Sequence, residues 1–271
     1  MRELNILFCG DIVGKSGRLA IETHLSTLQQ KYNIDFTIIN AENSAHGFGI
    51  TTNIAQDLLK QNIDCITLGN HSFDKQEIIE YLSIESKILR PLNYIDNYPN
   101  PFGVYDIKGY KLLVANLLGK LFMHSKIKFS DPFESITKLL EIYKLTHNIN
   151  GIFVDFHAET TSEKNAMGHY LDGKISALIG THSHIPTSDF KILPKGSGYQ
   201  SDVGMCGDYN SVIGMDVSSS LNIFLNSQKS KLQPSNNEGT LCGTFIQIDT
   251  SNGLCKKIKH LQIGGSLQNN F

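Results

Sequence analysis

Short apolar runs alternate with amphipathic stretches through the first third of the chain. Residues 4–9, 36–39 and 65–68 are almost wholly apolar, as buried strands are, whereas 18–31 and 54–61 space their apolar residues at helical intervals. This alternation predicts a layered α/β fold. A hairpin follows, with strands at 104–107 and 111–117 joined by Lys108-Gly109-Tyr110, and then a helix over 131–143. The hairpin makes the sheets mixed. Two more buried strands, 151–156 and 175–179, flank Thr160-x-x-Glu163, which has the form of a helix capping box. The C-terminal part predicts a helix over 217–225 and a hairpin turning near 249–253. The polar stretch 227–237 predicts a surface loop.

With 271 residues, of which 40% are hydrophobic, the chain can bury a sizeable core, and one domain over 1–271 is the expectation. The net charge of −2 supplies no general attraction for a long nucleic acid, so any phosphate must be held locally. No run of about eighteen apolar residues marks a membrane span, and the N-terminal apolar run ends in a carboxylate rather than a leader-peptide pattern. Five scattered cysteines, none in C-x-x-C, predict neither disulfides nor a zinc knuckle. A cytoplasmic protein is expected.

Candidate chemistry changes this picture because of where it falls. Gly10-Asp11, Glu42-Asn43, Asn70-His71, His157 and His182-x-His184 each follow an apolar run directly. In open α/β sheets, ligand sites form beyond the carboxyl ends of strands. Taken singly, Asp11 reads equally as a helix cap, Glu42-Asn43 as turn residues and His157 as a hydrogen-bonded core histidine. Jointly, five such accidents at successive strand ends are improbable. His182 and His184, at i and i+2 of an extended segment, would share a face. The oxygen and nitrogen donors, without thiolate, suit iron, manganese or similar ions better than structural zinc. His46 reads first as a loop residue and alternatively as one that supports a ligand or contacts substrate, the lone Gly47-x-Gly49 reads as turn geometry, and Asp155 and Glu159 are candidates for orienting imidazoles.

At these residues the sequence resembles the calcineurin-like metallophosphoesterase superfamily and, within it, the YmdB-like family. Gly69-Asn70-His71 and Gly180-Thr181-His182-Ser183-His184 match the superfamily signatures. LFCGDIVGKSGR, FTIINAENSAHGFGIT, CITLGNHSFDK, VDFHAETTSEK, IGTHSHIPTSD and ILPKGSGYQSDVGMCG are similar to the YmdB-like branch. The resemblance implies a four-layer α/β/β/α sandwich of mixed sheets with two metal ions, iron first and manganese or another divalent ion as alternatives. It assigns Asp11, Glu42, Asn43 and His184 to one ion, and Glu42, Asn70, His157 and His182 to the other, with Glu42 bridging. His71 would be the uncoordinated proton donor. The wider superfamily usually has a histidine where Val13 stands and an aspartate where Glu42 stands; both departures match the YmdB-like branch.

The implied activity is phosphodiester hydrolysis, with cyclic nucleotides, 2′,3′-cyclic ones foremost, as small-molecule substrates. Two divalent ions can generate hydroxide for direct attack, neutralise phosphoryl oxygens and fix the line of displacement. A phosphomonoesterase or nucleotidase would use the same chemistry. Protein phosphatases of the superfamily usually carry an arginine soon after G-N-H, and Ser72-Phe73-Asp74-Lys75 has none, which favours diesters. A non-catalytic scaffold would not be expected to retain so many costly polar groups. No membrane partner is expected; the resemblance allows a homo-oligomer.

Overall fold

The computed structural model describes residues 3–226 and 231–271. In chain order, β1 (Glu3–Cys9) and β2 (Asp11–Ile12) lead to α1 (Gly14–Lys31), β3 (Phe36–Asn40), α2 (Thr52–Leu59), β4 (Cys65–Thr67), α3 (Glu77–Tyr81) and β5 (Ile88–Leu89). The hairpin of β6 (Phe102–Ile107) and β7 (Tyr110–Leu118) precedes α4 (Pro132–Ile142), β8 (Gly151–His157), α5 (Thr161–Leu171) and β9 (Ala177–Thr181). Three short strands, β10 (Lys191–Ile192), β11 (Gly198–Gln200) and β12 (Met205–Cys206), come before α6 (Val217–Asn226) and the closing pair β13 (Leu241–Asp249) and β14 (Cys255–Ile263). Of the loop expected over 227–237, residues 227–230 lie outside the described residues.

Two six-stranded sheets form, ordered β14-β13-β1-β3-β4-β5 and β10-β11-β9-β8-β7-β6, while β2 and β12 pair separately. In the first sheet β1, β3, β4 and β5 run parallel and the antiparallel strands β13 and β14 extend it on one side. In the second, β11, β9, β8 and β7 run parallel between antiparallel β10 and β6 at the two edges, so both sheets are mixed. Strand alternation stacks them. Leu4, Ile6 and Phe8 of β1 point to a core shared with Leu112, Val114, Phe153 and Ile179 of the second sheet, and the Phe8 and Phe153 rings lie 5.0 Å apart. Leu7 and Cys9, on the opposite face, pack with Ile21, Leu25 and Leu28 of α1, Ala55 and Leu58 of α2, and Ile78 of α3. Leu113, Ala115, Ile152 and Val154 likewise meet Ile136 and Leu139 of α4 and Met167 and Leu171 of α5. The result is the four-layer α/β/β/α sandwich. Each fully buried Leu, Ile or Phe contributes on the order of 1.5–3 kcal/mol, so three stacked cores fix the layers firmly.

Two local expectations need correction. Asp11 does not cap α1: the N-cap is Val13, with no side-chain cap, and Asp11 lies within β2. Thr160 does cap α5 by accepting from the Glu163 N–H at 3.3 Å, but the capping box is not closed. Glu163 instead accepts from the backbone N–H groups of Lys120 and Leu121, tying down the segment after β7.

Candidate metal centre

Each candidate residue sits where a strand has just ended or a short strand begins. After β3 the chain turns tightly, with His46, Gly47 and Gly49 all at positive φ, and Asn43 Nδ2 closes the turn on the Gly47 carbonyl at 3.0 Å. After β4, Gly69 must be glycine. A Cβ there would lie 2.3 Å from Glu42 Oε2 and 2.7 Å from His157 Cδ2, so the backbone passes directly against the site.

The segment after β9 differs from the expected extended one. His182 and His184 have φ of 100° and 65°, in the left-handed region that β-carbon-bearing residues rarely adopt. They are brought to one cavity by backbone strain rather than by strand periodicity. A buried ion pair holds that strain: Lys164 Nζ lies 2.8 Å from Asp202 Oδ2, the same oxygen accepts from Ser183 N–H at 3.0 Å, and Oδ1 accepts from Gly204 N–H at 2.8 Å.

His157 Nε2 is the focus. Around it stand Glu42 Oε1 at 2.8 Å, Asn70 Oδ1 at 3.0 Å and His182 Nδ1 at 3.0 Å. Asp11 Oδ1 is 3.7 Å from the other ring nitrogen of His157, and Asp11 Oδ2 accepts from the His182 backbone N–H at 3.1 Å. Asn43 and His184 line the adjoining cavity of about 290 Å³, together with Glu42, His71 and His182. His184 Nδ1 donates to the Ile213 carbonyl at 2.8 Å, which leaves Nε2 as the nitrogen available to a ligand. His71 reaches the cluster through its backbone N–H, which donates to Glu42 Oε2 at 2.8 Å; its ring pairs with Asp74. All eight sequence candidates therefore meet at one place.

Behind them, a hydroxyl relays Asp155 to His157. Thr181 Oγ1 donates to Asp155 Oδ1 at 2.7 Å and lies 2.9 Å from His157 Nδ1. Asp155 Oδ2 accepts from Thr67 Oγ1 and Asn40 Nδ2, so its action on the imidazole is indirect. Glu159 makes direct contact, 2.9 Å from His182 Nε2.

Burial opposes the charge on Glu42, yet His157, by charge and hydrogen bond, and then His71 prevail and hold its carboxyl down to about 2. Burial likewise opposes a charged His157, but Glu42, followed by Asp11 and Asp155, lifts it to about 9. Burial, reinforced by His157, presses His182 down to about 3. Asp11 is pushed up by burial against the pull of His184 and His157, and Asp155 is raised to about 6 by burial despite His157 and its three donors.

The donor set fits divalent ions. Ligand atoms of Glu42, His157 and His182 lie within 4.8 Å of one another. Asp11 Oδ1 and Asn43 Oδ1 are buried acceptors with no hydrogen-bond partner, a condition that costs about 1–3 kcal/mol each unless a cation meets it. Oxygen and imidazole donors without thiolate match hard to borderline metals.

Several participants escaped the sequence reading. Asp74, three residues after His71, was legible in principle from the N-H-x-x-D spacing, but nothing in the pattern distinguished it from a turn aspartate. Phe48, whose ring meets that of His71 edge-on at 5.1 Å, and the Lys164–Asp202 pair carry no local signature at all.

The chain matches the family model for YmdB-like proteins over residues 7–261. It is 40% identical to a 2′,3′-cyclic-nucleotide 2′-phosphodiesterase of Bacillus subtilis over 96% of this chain and 97% of that one. Among solved structures, a phosphatase from Mycoplasma pneumoniae superposes with a TM-score of 0.91 at 34% identity, over 97% of this chain and 94% of that one. A protein from Thermus thermophilus gives 0.88 at 34% identity, over 97% of this chain and all of that one (100%). Fold and site define a phosphoric ester hydrolase with the metallophosphoesterase architecture. Within that class, the chain belongs to the YmdB-like family.

Proposed function

We propose that this protein is a dinuclear-metal phosphodiesterase acting on cyclic nucleotides, 2′,3′-cyclic ones foremost. The observation that carries the reading is the convergence of Glu42, Asn70 and His182 on His157 Nε2, with orphaned acceptors on Asp11 and Asn43 beside it. Asp11, Glu42, Asn43 and His184 would hold one ion and Glu42, Asn70, His157 and His182 the other. Iron is the first candidate, with manganese or another divalent ion as the alternative. When bound, the ions would supply Lewis acidity toward phosphoryl oxygens and acidify water at neutral pH.

The protein's own groups do the rest. Asp74 takes the Nδ1 side of His71, at 2.8 Å, so Nε2 is the nitrogen left to hand a proton to the departing alkoxide. Phe48, Ile213, Met215 and Leu232 wall the cavity with apolar surface and limit water around the reacting group. Among the described residues no lysine or arginine lines this cavity, which favours a singly charged diester over a dianionic monoester. The five cysteines are unpaired and buried, in keeping with a cytoplasmic setting, and no helix among the described residues is long and apolar enough to cross a membrane. One domain spanning 1–271 completes the reading.

The test is product analysis with metal-loaded protein on 2′,3′-cyclic, 3′,5′-cyclic and linear diesters and on a nucleoside monophosphate, alongside elemental analysis. Two ions per chain and fastest turnover of the 2′,3′-cyclic substrate are expected. Preferential release of phosphate from the monoester would replace the reading with a nucleotidase, and absence of any turnover with two ions bound would leave a scaffold.

A further inference from the structure

A second cavity of about 520 Å³ adjoins the metal cavity and shares Phe48 and Leu232 with it. The two differ in charge. The metal cavity carries Glu42 and Glu159, whereas the polar groups of the second are Lys75, Lys231, His46 and Gln233, and among the described residues no carboxylate lines it. The turn after β3 shapes this wall. Gly49, at φ 77°, lets the Lys75 stem lie across it, since a Cβ there would come to 3.0 Å from Lys75 Cγ. His46, also at positive φ, is exposed and lines the second cavity rather than the metal cluster.

A pocket whose ligands would hold cations that attract one phosphoryl group, and a cavity with two ammonium groups across one shared wall, are complementary to a molecule with two phosphates. We propose that the second cavity binds a phosphate at the 5′ side of the nucleoside whose 2′,3′-cyclic phosphate is hydrolysed. This rests on the reading given under Proposed function. In a nucleoside whose 2′ and 3′ oxygens are both tied to the reacting phosphorus, the remaining ribose hydroxyl able to carry a phosphate is the 5′ one. The substrate is then a 5′-phosphorylated 2′,3′-cyclic nucleotide, either free or as the 3′-terminal unit of a short RNA fragment. Phe48, common to both walls, is the surface across which the nucleoside lies.

The chemistry also fixes the kind of reaction that supplies such ends. A ribose 2′-hydroxyl attacks its neighbouring phosphodiester, forming the P–O2′ bond and breaking the bond to the next 5′ oxygen, which takes the proton. Hydrolysis here adds the oxygen of water to phosphorus, breaks P–O2′ and leaves the proton on O2′ and the phosphate on O3′. No electrons change hands in either step.

Binding of product-like probes tests the proposal separately from turnover. Titration calorimetry of the metal-loaded protein should show adenosine 3′,5′-bisphosphate binding about tenfold more tightly than adenosine 3′-monophosphate at low salt, with the ratio shrinking as salt screens the ammonium groups. In a Lys75→Gln/Lys231→Gln double variant, checked for folding by circular dichroism, the ratio should fall toward one. A diadenosine dinucleotide ending in a 3′-phosphate, whose linking diester replaces the 5′-monoester, separates the two sources: an equal gain assigns the site to RNA ends, and a gain confined to the bisphosphate assigns it to free 5′-phosphorylated nucleotides. Equal affinity for bisphosphate and monophosphate, or a preference that survives in the double variant, overturns the proposal. If the preference is found but no 2′,3′-cyclic substrate is hydrolysed, the phosphodiesterase reading falls and the subsite stands.

Discussion

His71 Nδ1 lies 2.8 Å from Asp74 Oδ2, while the other carboxylate oxygen of Asp74 lies 2.7 Å from Lys126 Nζ. The imidazole is thus held from outside the metal cluster, by a group three residues along its own loop, and its backbone N–H is held from inside, by Glu42. Asp74→Asn should preserve size and remove the charged acceptor. Loss of such an orienting partner typically costs about 10–100-fold, and here the loss should fall on kcat for nucleoside diesters with metal content unchanged. Steady-state kinetics beside elemental analysis check both halves; a drop in bound metal would show that Asp74 supports the cluster rather than the proton.

Glu42 touches both halves of the site: Oε1 faces His157 Nε2 and Oε2 accepts the His71 N–H. Asn43, by contrast, already spends its Nδ2 on the Gly47 carbonyl and has only Oδ1 to offer. Glu42→Gln should therefore strip both ions, whereas Asn43→Ala should weaken one. Elemental analysis after dialysis distinguishes them, and equal metal loss from the two variants would end the bridging role.

The layers and the metal candidates were legible for a shared reason: both obey short-range rules. Strands such as β1 and β8 announce themselves as apolar runs, and ligands follow directly where the runs stop. What escaped depends on contacts between distant segments or on elements of two or three residues. No periodicity can be read from β5, β10 or β12. Lys164 and Asp202 lie 38 residues apart, and nothing near either one reveals that they meet. The left-handed backbone at His182 and His184 was hidden for a different reason, since histidine gives none of the signal that glycine gives at Gly47 and Gly49.

That buried pair yields its own prediction. Lys164 and Asp202 are each about 2% exposed or less, and Lys164→Met would leave the Asp202 carboxylate buried opposite an alkyl chain. Breaking one partner of such a pair costs about 3–5 kcal/mol, so the denaturant midpoint should fall sharply. Because Asp202 also holds the Ser183 N–H, metal affinity should fall in the fraction that remains folded. Unfolding curves with and without added metal measure both effects; an unchanged midpoint would contradict the structural weight given to the pair.

His260 provides a pH-dependent counterpart away from the metal cluster. Burial lowers it to about 4, its Nδ1 accepts from Gln200 Nε2 at 3.1 Å, and its Nε2 has no partner. The unfolded chain binds a proton there near pH 6.5 and the folded chain does not until about 4, so stability present above 6.5 is lost as pH falls through that window. A shift of this size corresponds to roughly 3 kcal/mol. His260→Gln should flatten the stability profile between those pH values in urea titrations, and a profile as steep as that of the parent would assign the acid sensitivity to other groups.

The proton-donor role of His71 is tested most sharply by the leaving group. General-acid assistance is typically worth about 10²–10⁴-fold, so His71→Ala should lose activity in that range on a nucleoside diester, whose alkoxide departs poorly without a proton. The ring of His71 is engaged by Asp74 and meets Phe48 edge-on, and the link from His71 to Glu42 runs through the backbone N–H, which alanine retains. Metal content should therefore stay at two. On a nitrophenyl diester the deficit should shrink, because nitrophenolate leaves without protonation. Across a series of aryl diesters, the ratio of parent to variant rates should rise with leaving-group pKa. Equal losses on every diester with both ions in place would mean that His71 stabilises phosphoryl charge instead, and loss of an ion would make its ring a ligand or the support of one.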